Sequence, residues 1–279
     1  MEFVEKFIAY VDILGFSGFV ADAERGTGRS LDALLDLLSA FGSSAQREAF
    51  SRCGPNICAN SGYHSRDLDF RLTQISDCAI ISTELSPAGM INLVHHVWGM
   101  VIRFLERSTL CRGYITRGRI YHTDHQVIGT GYQHAYHHEA RVSAFQRTAD
   151  ELGTPFVEID ETIIAYIQDC DATVKEMFRR YVKEDGELIA LFPFQRIAHS
   201  FVISGFDKLD IDRERQENNK VRQLLDDLKG RIMTYVDKNN PGAVRKAEHY
   251  LAALDAQRDV CDKTDEFLQR FRSPAQPQQ

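Results

Sequence analysis

Apolar and polar positions along this chain change period several times, and each change marks an element. From residue 7 to 14 the run FIAYVDIL is apolar with one interruption, Asp12. Its length and its β-branched and aromatic content predict a strand buried on both faces. Gly15-Phe16-Ser17-Gly18 then turns the chain, after which Leu31, Leu34, Leu35 and Leu38 recur at helical spacing. Residues 69–75 and 78–82 read as the strands of a tight hairpin with Ser76-Asp77 at its tip. Pro87 opens a helix to about residue 107, because the missing N–H of proline costs nothing in a first turn. Residues 111–122 and 127–129 predict further strands, 132–147 a helix, and 155–159 a short strand; 184–206 shows no clear period and is read as strand and loop. The order implies an α/β (α+β) fold: a mixed, mostly antiparallel sheet with packed helices.

Beyond residue 206 the pattern shifts to a charged helix carrying Val221, Leu224, Leu225, Leu228, Ile232 and Tyr235. Asn239-Asn240-Pro241-Gly242 interrupts it, with Asn240 as N-cap and Pro241 at the first helical position. Val244, Tyr250, Leu251, Leu254, Phe267 and Leu268 mark a second helix. The expected domains are therefore 1–206, a C-terminal helical hairpin at 207–272 and a flexible tail at 273–279. The hairpin is read as a packed appendage or an oligomerisation element.

Charge narrows the partners. Lys and Arg total 33 against 40 Asp and Glu, a balance of 33 − 40 = −7, so the chain lacks the basic footprint of a nucleic-acid binder. Its longest apolar stretch, 90–105, is broken by His95, His96 and Arg103 and is too short and polar to span a membrane. The first residues resemble no signal peptide. The cysteines at 53, 58, 78, 111, 170 and 261 form no disulfide framework. A cytoplasmic protein is expected.

The chemistry begins at Asp12, since a carboxylate in the middle of a buried strand costs several kcal/mol unless something pairs with it. A hairpin lying beside that strand would bring Asp77 to the same end of the sheet. Two convergent carboxylates suit a hard cation such as Mg²⁺ or Mn²⁺, and the helix starting after Gly15 would turn free N–H groups toward a phosphate.

Four blocks in this order resemble class III nucleotidyl cyclase catalytic domains. Val11-Asp12-Ile13-Leu14-Gly15-Phe16-Ser17 is similar to the family's opening motif, and Ile75-Ser76-Asp77 to its second metal motif, with Ser76 in place of Gly. Arg112-Gly113-Tyr114-Ile115-Thr116-Arg117-Gly118 is similar to the strand that follows, and residues 129–141 to the helix that carries Asn-x-x-x-Arg. The resemblance covers a core of about residues 5–160. It implies a homodimer in which Asp12, Asp77 and the Ile13 carbonyl hold two divalent ions. Phe16, Ser17, Gly18 and Arg112 would bind the triphosphate, and Arg141 would reach the transition state from the other protomer. His137 stands at the helix Asn position. Thr73 and Thr130 replace the usual purine-reading Lys and Asp, so Arg71, Thr73, Thr130 and Tyr132 become candidates for the base pocket.

Asp-Ile-Leu-Gly-Phe, Arg-Gly-x-Ile-x-x-Gly and Ala135-Tyr136-His137-His138-Glu139 also resemble the pyrimidine cyclases of Pycsar antiphage systems. That implies UTP ahead of CTP as substrate, cyclic UMP or CMP as product, and a separate effector protein activated by it. The alternatives are a purine cyclase, an inactive nucleotide-binding regulatory domain, and a structural oligomerisation module.

Other polar residues receive plainer readings. His122, His125, His134, His137 and His138 contain no Cys or carboxylate at ligand spacing and are read as surface or interface residues. Cys53, Cys58 and His64 are taken as loop residues, Cys78 as a small core hydrophobe, and 158–161 as a solvated strand end. His95 and His96 point to different helix faces and share no metal. Glu139 has three open readings: orienting Arg141, pairing across a dimer, or a plain salt bridge.

Overall fold

The structure is a computed structural model and describes residues 2–42, 67–149, 151–193 and 210–270. Cys53, Cys58, His64, the stretch 194–206 and the tail 273–279 lie outside the described residues. The chain divides into two compact units, Met1–Pro193 and Phe194–Gln279.

In chain order the first unit comprises β1 (Val4–Ile13), α1 (Phe16–Glu24), α2 (Leu31–Ser39), β2 (Arg71–Ile75), β3 (Cys78–Glu84) and α3 (Pro87–Glu106). These are followed by β4 (Cys111–His122), β5 (Val127–Ile128), α4 (Thr130–Glu139), β6 (Val157–Ile159), α5 (Glu161–Asp169), α6 (Ala172–Arg179), β7 (Val182–Asp185) and β8 (Leu188–Leu191). The strands form an eight-stranded sheet in the order β2-β3-β1-β4-β6-β8-β7, with β5 paired to β4. Every pairing is antiparallel except β4 with β6, which makes the fold a mixed, mostly antiparallel α/β sheet with packed helices.

β1 is an interior strand between β3 and β4, and its alternation divides the core. Phe7, Ala9, Val11 and Ile13 point to one face, where the Phe7 ring meets Tyr166 of α5 edge-on at 4.9 Å. On that face the Thr83 hydroxyl also donates to the Gly89 carbonyl of α3 at 3.1 Å. Ile8, Tyr10 and Asp12 point to the other face, where Ile8, Tyr10, Ile80 and Ile120 pack with Ala135 of α4. Burying an Ile or Phe fully is worth roughly 1.5–3 kcal/mol, and Phe7 and Ile8 are both fully buried.

A glycine pair seats α4 on the sheet. A Cβ at Gly118 would lie 2.6 Å from the Gly131 Cα, and one at Gly131 would lie 2.5 Å from Ile8 Cδ1. Helix and strand backbones therefore touch with no side chain between them.

Two expectations need correction. α4 ends at Glu139, not at residue 147, because Glu158 on β6 takes the backbone N–H groups of Ser143 and Ala144 at 2.9 and 3.0 Å. Phe145 then turns with φ 60°. The acidic run 158–161 is likewise no solvated strand end. Glu158 and Asp160 are buried, and Asp160 caps α5 by accepting from the Thr162 N–H at 2.8 Å. Asp171 caps α6 in the same way, accepting from Thr173 and Val174.

The second unit contains α7 (Ile211–Tyr235) and α8 (Pro241–Gln269). Asp210 and Asn240 cap them, with Pro241 in the first turn of α8. Ion pairs Arg222–Asp262, Asp226–Arg258 and Lys229–Asp255 run in opposite chain directions, so the two helices form an antiparallel pair. Leu225, Leu228, Ile232, Tyr250, Leu254 and Leu268 are among its buried residues. Buried Asn218 donates to the Cys261 carbonyl and to Asp265, each at 2.8 Å. Among the described residues no helix is long and apolar enough to cross a membrane.

Candidate active site

Strand register gathers the first chemical group. Asp12 on β1 stands opposite Cys78 on β3 and Arg112 on β4, and Cys78 stands opposite Ile75 on β2. Asp77 sits in the turn just before Cys78, where its carbonyl accepts the Ile13 N–H at 2.9 Å. The neighbouring Ser76 takes the left-handed φ of 52° that closes so short a turn. The hairpin thus brings Asp77 to the same end of the sheet as Asp12, with Ile13 between them. α1 starts there too, capped by Gly15 at φ 78°, with Phe16 buried and Ser17 and Gly18 exposed in its first turn.

These groups act on one another electrostatically. Burial, then the charges of Glu139 and Asp77, raise the Asp12 carboxyl from 3.8 to about 7, against the opposing pull of Arg112. Glu139, at the end of α4, is buried and pairs with the Arg112 Nε. Within this chain it therefore makes a salt bridge across from α4 to β4. Tyr10 lies one rung from Asp12 on the same face, opposite Tyr114 on β4. Its hydroxyl bonds to Cys78, and burial raises both groups above their ordinary values.

Carboxylate charge exceeds cation charge here, with Asp12, Asp77 and Glu139 against Arg112. An Asp12 carboxyl pushed up by burial and then by neighbouring negative charge suits a hard divalent cation, whose charge would pull it back down. Among the described residues no group of three or more His, Cys, Asp or Glu side chains is gathered as a metal cage. The donor set fits an ion that shares its coordination with water and phosphate, as Mg²⁺ commonly does.

Other candidates lie elsewhere on the same face. Thr73 is level with Tyr10, but its hydroxyl bonds to His122 Nε2 at 3.0 Å and donates to the Thr123 carbonyl at 3.3 Å. Arg71 is level with Ile8, four residues or roughly 13 Å along the strand from Asp12, and faces Asp69 at 3.3 Å and Asp124 at 3.9 Å. Thr130 is exposed at the start of α4, and the half-buried Tyr132 ring lies 6.3 Å from that of Tyr10. His137 is exposed against the Tyr136 ring at 5.3 Å. Arg141 lies in the turn past α4; its side chain is exposed and makes no hydrogen bond or ion pair among the described residues.

The histidines separate into different roles. His122 is not a surface residue: it is buried, its Nδ1 bonds to Ser82 at 2.8 Å, and burial followed by the Lys6 charge lowers its pKa to about 4. His134 Nε2 reaches Asp160 at 2.9 Å, a carboxylate that also accepts from Tyr114 at 2.9 Å. His138 packs 4.0 Å from the His134 ring.

Tyr10 and the Tyr114–Asp160–His134 group were not singled out in the sequence. Period two from Asp12 points to Tyr10, whereas nothing local points to Asp160, which meets its partners only through the sheet.

No family model matches this sequence, and no curated protein matches it. Among solved structures, it is similar to the catalytic core of a rhodopsin-guanylyl cyclase with converted specificity in complex with ATPαS, at 10% identity and a TM-score of 0.37, covering 68% of this chain and 96% of that one. It is also similar to the non-canonical dimeric guanylyl cyclase domain of the RhoGC fusion protein from the aquatic fungus Blastocladiella emersonii, at 12% and 0.37 over 68% and 96%. A bacterial light-regulated adenylyl cyclase matches at 14% and 0.38, over 68% of this chain and 51% of that one. Chemistry does not transfer at that distance, and it has to come from the side chains.

Proposed function

We propose that this chain is a nucleotidyl cyclase that converts UTP or CTP into the 3′,5′-cyclic nucleotide and pyrophosphate, working as a homodimer. The observation that carries this reading is the meeting of Asp12 and Asp77 at one end of the sheet, with Asp12 raised to about 7 beside a helix start. Asp12, Asp77 and the Ile13 carbonyl would hold two Mg²⁺ or Mn²⁺ ions, which when bound supply Lewis acidity at the ribose 3′-hydroxyl and the triphosphate. The first turn of α1, at Phe16, Ser17 and Gly18, offers backbone N–H groups to phosphate oxygens. Arg112 adds a fixed guanidinium. The free side chain of Arg141 suits charge developing on phosphorus in a partner's site, where a planar fork of donors matches phosphate oxygens better than an ammonium. His137 can donate one hydrogen bond to ribose or phosphate.

In the overall step the ribose 3′-hydroxyl gives up its proton to solvent, its oxygen attacks the α-phosphorus, the bond to the bridging oxygen breaks, and pyrophosphate leaves. Pyrimidine preference is supported by what the purine-reading positions hold. Thr73 has its hydroxyl engaged by His122 and Thr123, and Thr130 is a short side chain at the helix start. A site without partners for a base edge discriminates poorly in favour of that base. The product would act as a second messenger on a separate effector in antiphage defence, in the cytoplasm.

Assaying UTP, CTP, ATP and GTP side by side with Mn²⁺, with cyclic product read by chromatography, tests this directly. Cyclic UMP or CMP is expected. Pyrophosphate release without cyclic product would refute the reading, and nucleotide binding without turnover would make the chain a regulatory domain.

A further inference from the structure

Arg112 is held on two sides by groups that no step above requires. Its Nε donates to the Glu139 carboxylate, and its Nη1 donates to the Gly153 carbonyl at 3.4 Å. Gly153 has φ 72°, and a Cβ there would sit 2.3 Å from Nη1. The guanidinium therefore occupies a seat made of a buried carboxylate, a carbonyl and a missing side chain. Arginine has donors on three nitrogens; the seat engages two of them, and Nη2 has no hydrogen-bond partner among the described residues. An arginine fixed before its ligand arrives has already lost the rotamer freedom that a mobile one would lose on binding.

The geometry points to Glu139 and Gly153 as positioning residues that hold Arg112 with one nitrogen left over for a polyphosphate. This inference rests on the cyclase reading for its natural ligand, but not for its probe. A merely structural ion pair between β4 and the end of α4 predicts a different sign. Glu139 is an anion beside an anion-binding site, so removing its charge alone strengthens polyphosphate binding, whereas removing a positioning residue weakens it.

The test is calorimetric titration of the full chain with inorganic tripolyphosphate in Mg²⁺ buffer. Glu139→Leu, which fills similar space without an acceptor, should weaken binding about tenfold. Gly153→Ala should weaken it similarly, and Glu139→Gln, which removes the charge but keeps an acceptor for the Arg112 Nε, should bind more tightly than Glu139→Leu. The double variant Glu139→Leu with Arg112→Ala should bind no more weakly than Arg112→Ala alone, because the two act through one group. In turnover assays the loss should fall on KM rather than kcat. Should Glu139→Leu fold poorly, Gly153→Ala gives the same comparison.

Equal or tighter tripolyphosphate binding by Glu139→Leu and Gly153→Ala overturns the inference, as does absence of binding by the unmodified chain. The cyclase reading can fail separately. Seat-dependent tripolyphosphate binding without cyclic product leaves the inference standing, whereas cyclisation with seat-independent binding sinks the inference alone.

Discussion

Replacing Asp12 with Asn should make the metal-free protein more stable, although it removes a group at the centre of the proposed chemistry. The folded protein holds the Asp12 carboxyl at about 7 against 3.8, first through burial and then through the charges of Glu139 and Asp77. A raised carboxyl favours folding only while it is protonated. That contribution is fully present below pH 3.8 and is lost as pH rises to about 7. Each tenfold change in proton affinity is worth about 1.4 kcal/mol, which would give about 4 kcal/mol for a wholly buried group. Asp12 is only half-buried, and solvent screening brings the figure to about 2 kcal/mol.

Urea unfolding in EDTA at pH 8 and at pH 3.5 measures this difference. Asp12→Asn should exceed the unmodified chain by about 2 kcal/mol at the higher pH, with the two converging at the lower. Adding Mn²⁺ at pH 8 should stabilise the unmodified chain and leave the variant unchanged, because only a ligand-binding native state gains by mass action. A variant less stable at pH 8, or a gap that ignores pH, would show that Asp12 is an ordinary paired carboxylate.

Mixing Asp12→Ala protomers with Arg141→Ala protomers should restore part of the activity that each lacks, since one composite site is then whole; demonstrated heterodimers without activity would count against a shared site. His122 has its pKa lowered to about 4, so it supports stability above pH 6.5 and withdraws about 3 kcal/mol as pH falls through 4. The stability difference between the unmodified chain and His122→Gln should shrink over that window, and a constant difference would exclude the linkage. Asn218→Leu should destabilise the helical pair by about 1–2 kcal/mol, because the Cys261 carbonyl and Asp265 lose a buried donor; unchanged thermal unfolding would assign that pair's stability to its apolar contacts alone.

The parts of the fold legible in the sequence are those whose causes are local. β1, the hairpin tip at Ser76-Asp77, α3 and the two helices after Asp210 follow from apolar period, turn residues and caps that lie within a few positions of one another. The illegible parts depend on groups far apart in sequence. α4 stops at Glu139 because Glu158 takes the N–H groups of Ser143 and Ala144, which no local pattern announces. The run 158–161 looked solvent-facing because acidic residues usually are, whereas β6 places Glu158 and Asp160 where backbone, Tyr114 and His134 can satisfy them. The same holds at the site. Asp12 and Asp77 stood out as carboxylates in an apolar strand and at a hairpin tip, but the Arg112–Glu139 pairing joins β4 to α4 across 27 positions, beyond the reach of any local pattern.

Because Gly118 and Gly131 meet backbone to backbone, α4 has no cushion of side chains to absorb change. Adding a methyl group at either position lifts the helix as a unit, and the lever ends at Glu139. A mutation at that contact, well away from Asp12, should therefore be felt at Arg112 before it registers in overall stability. Drift at those two glycines would act as a remote adjustment of the site.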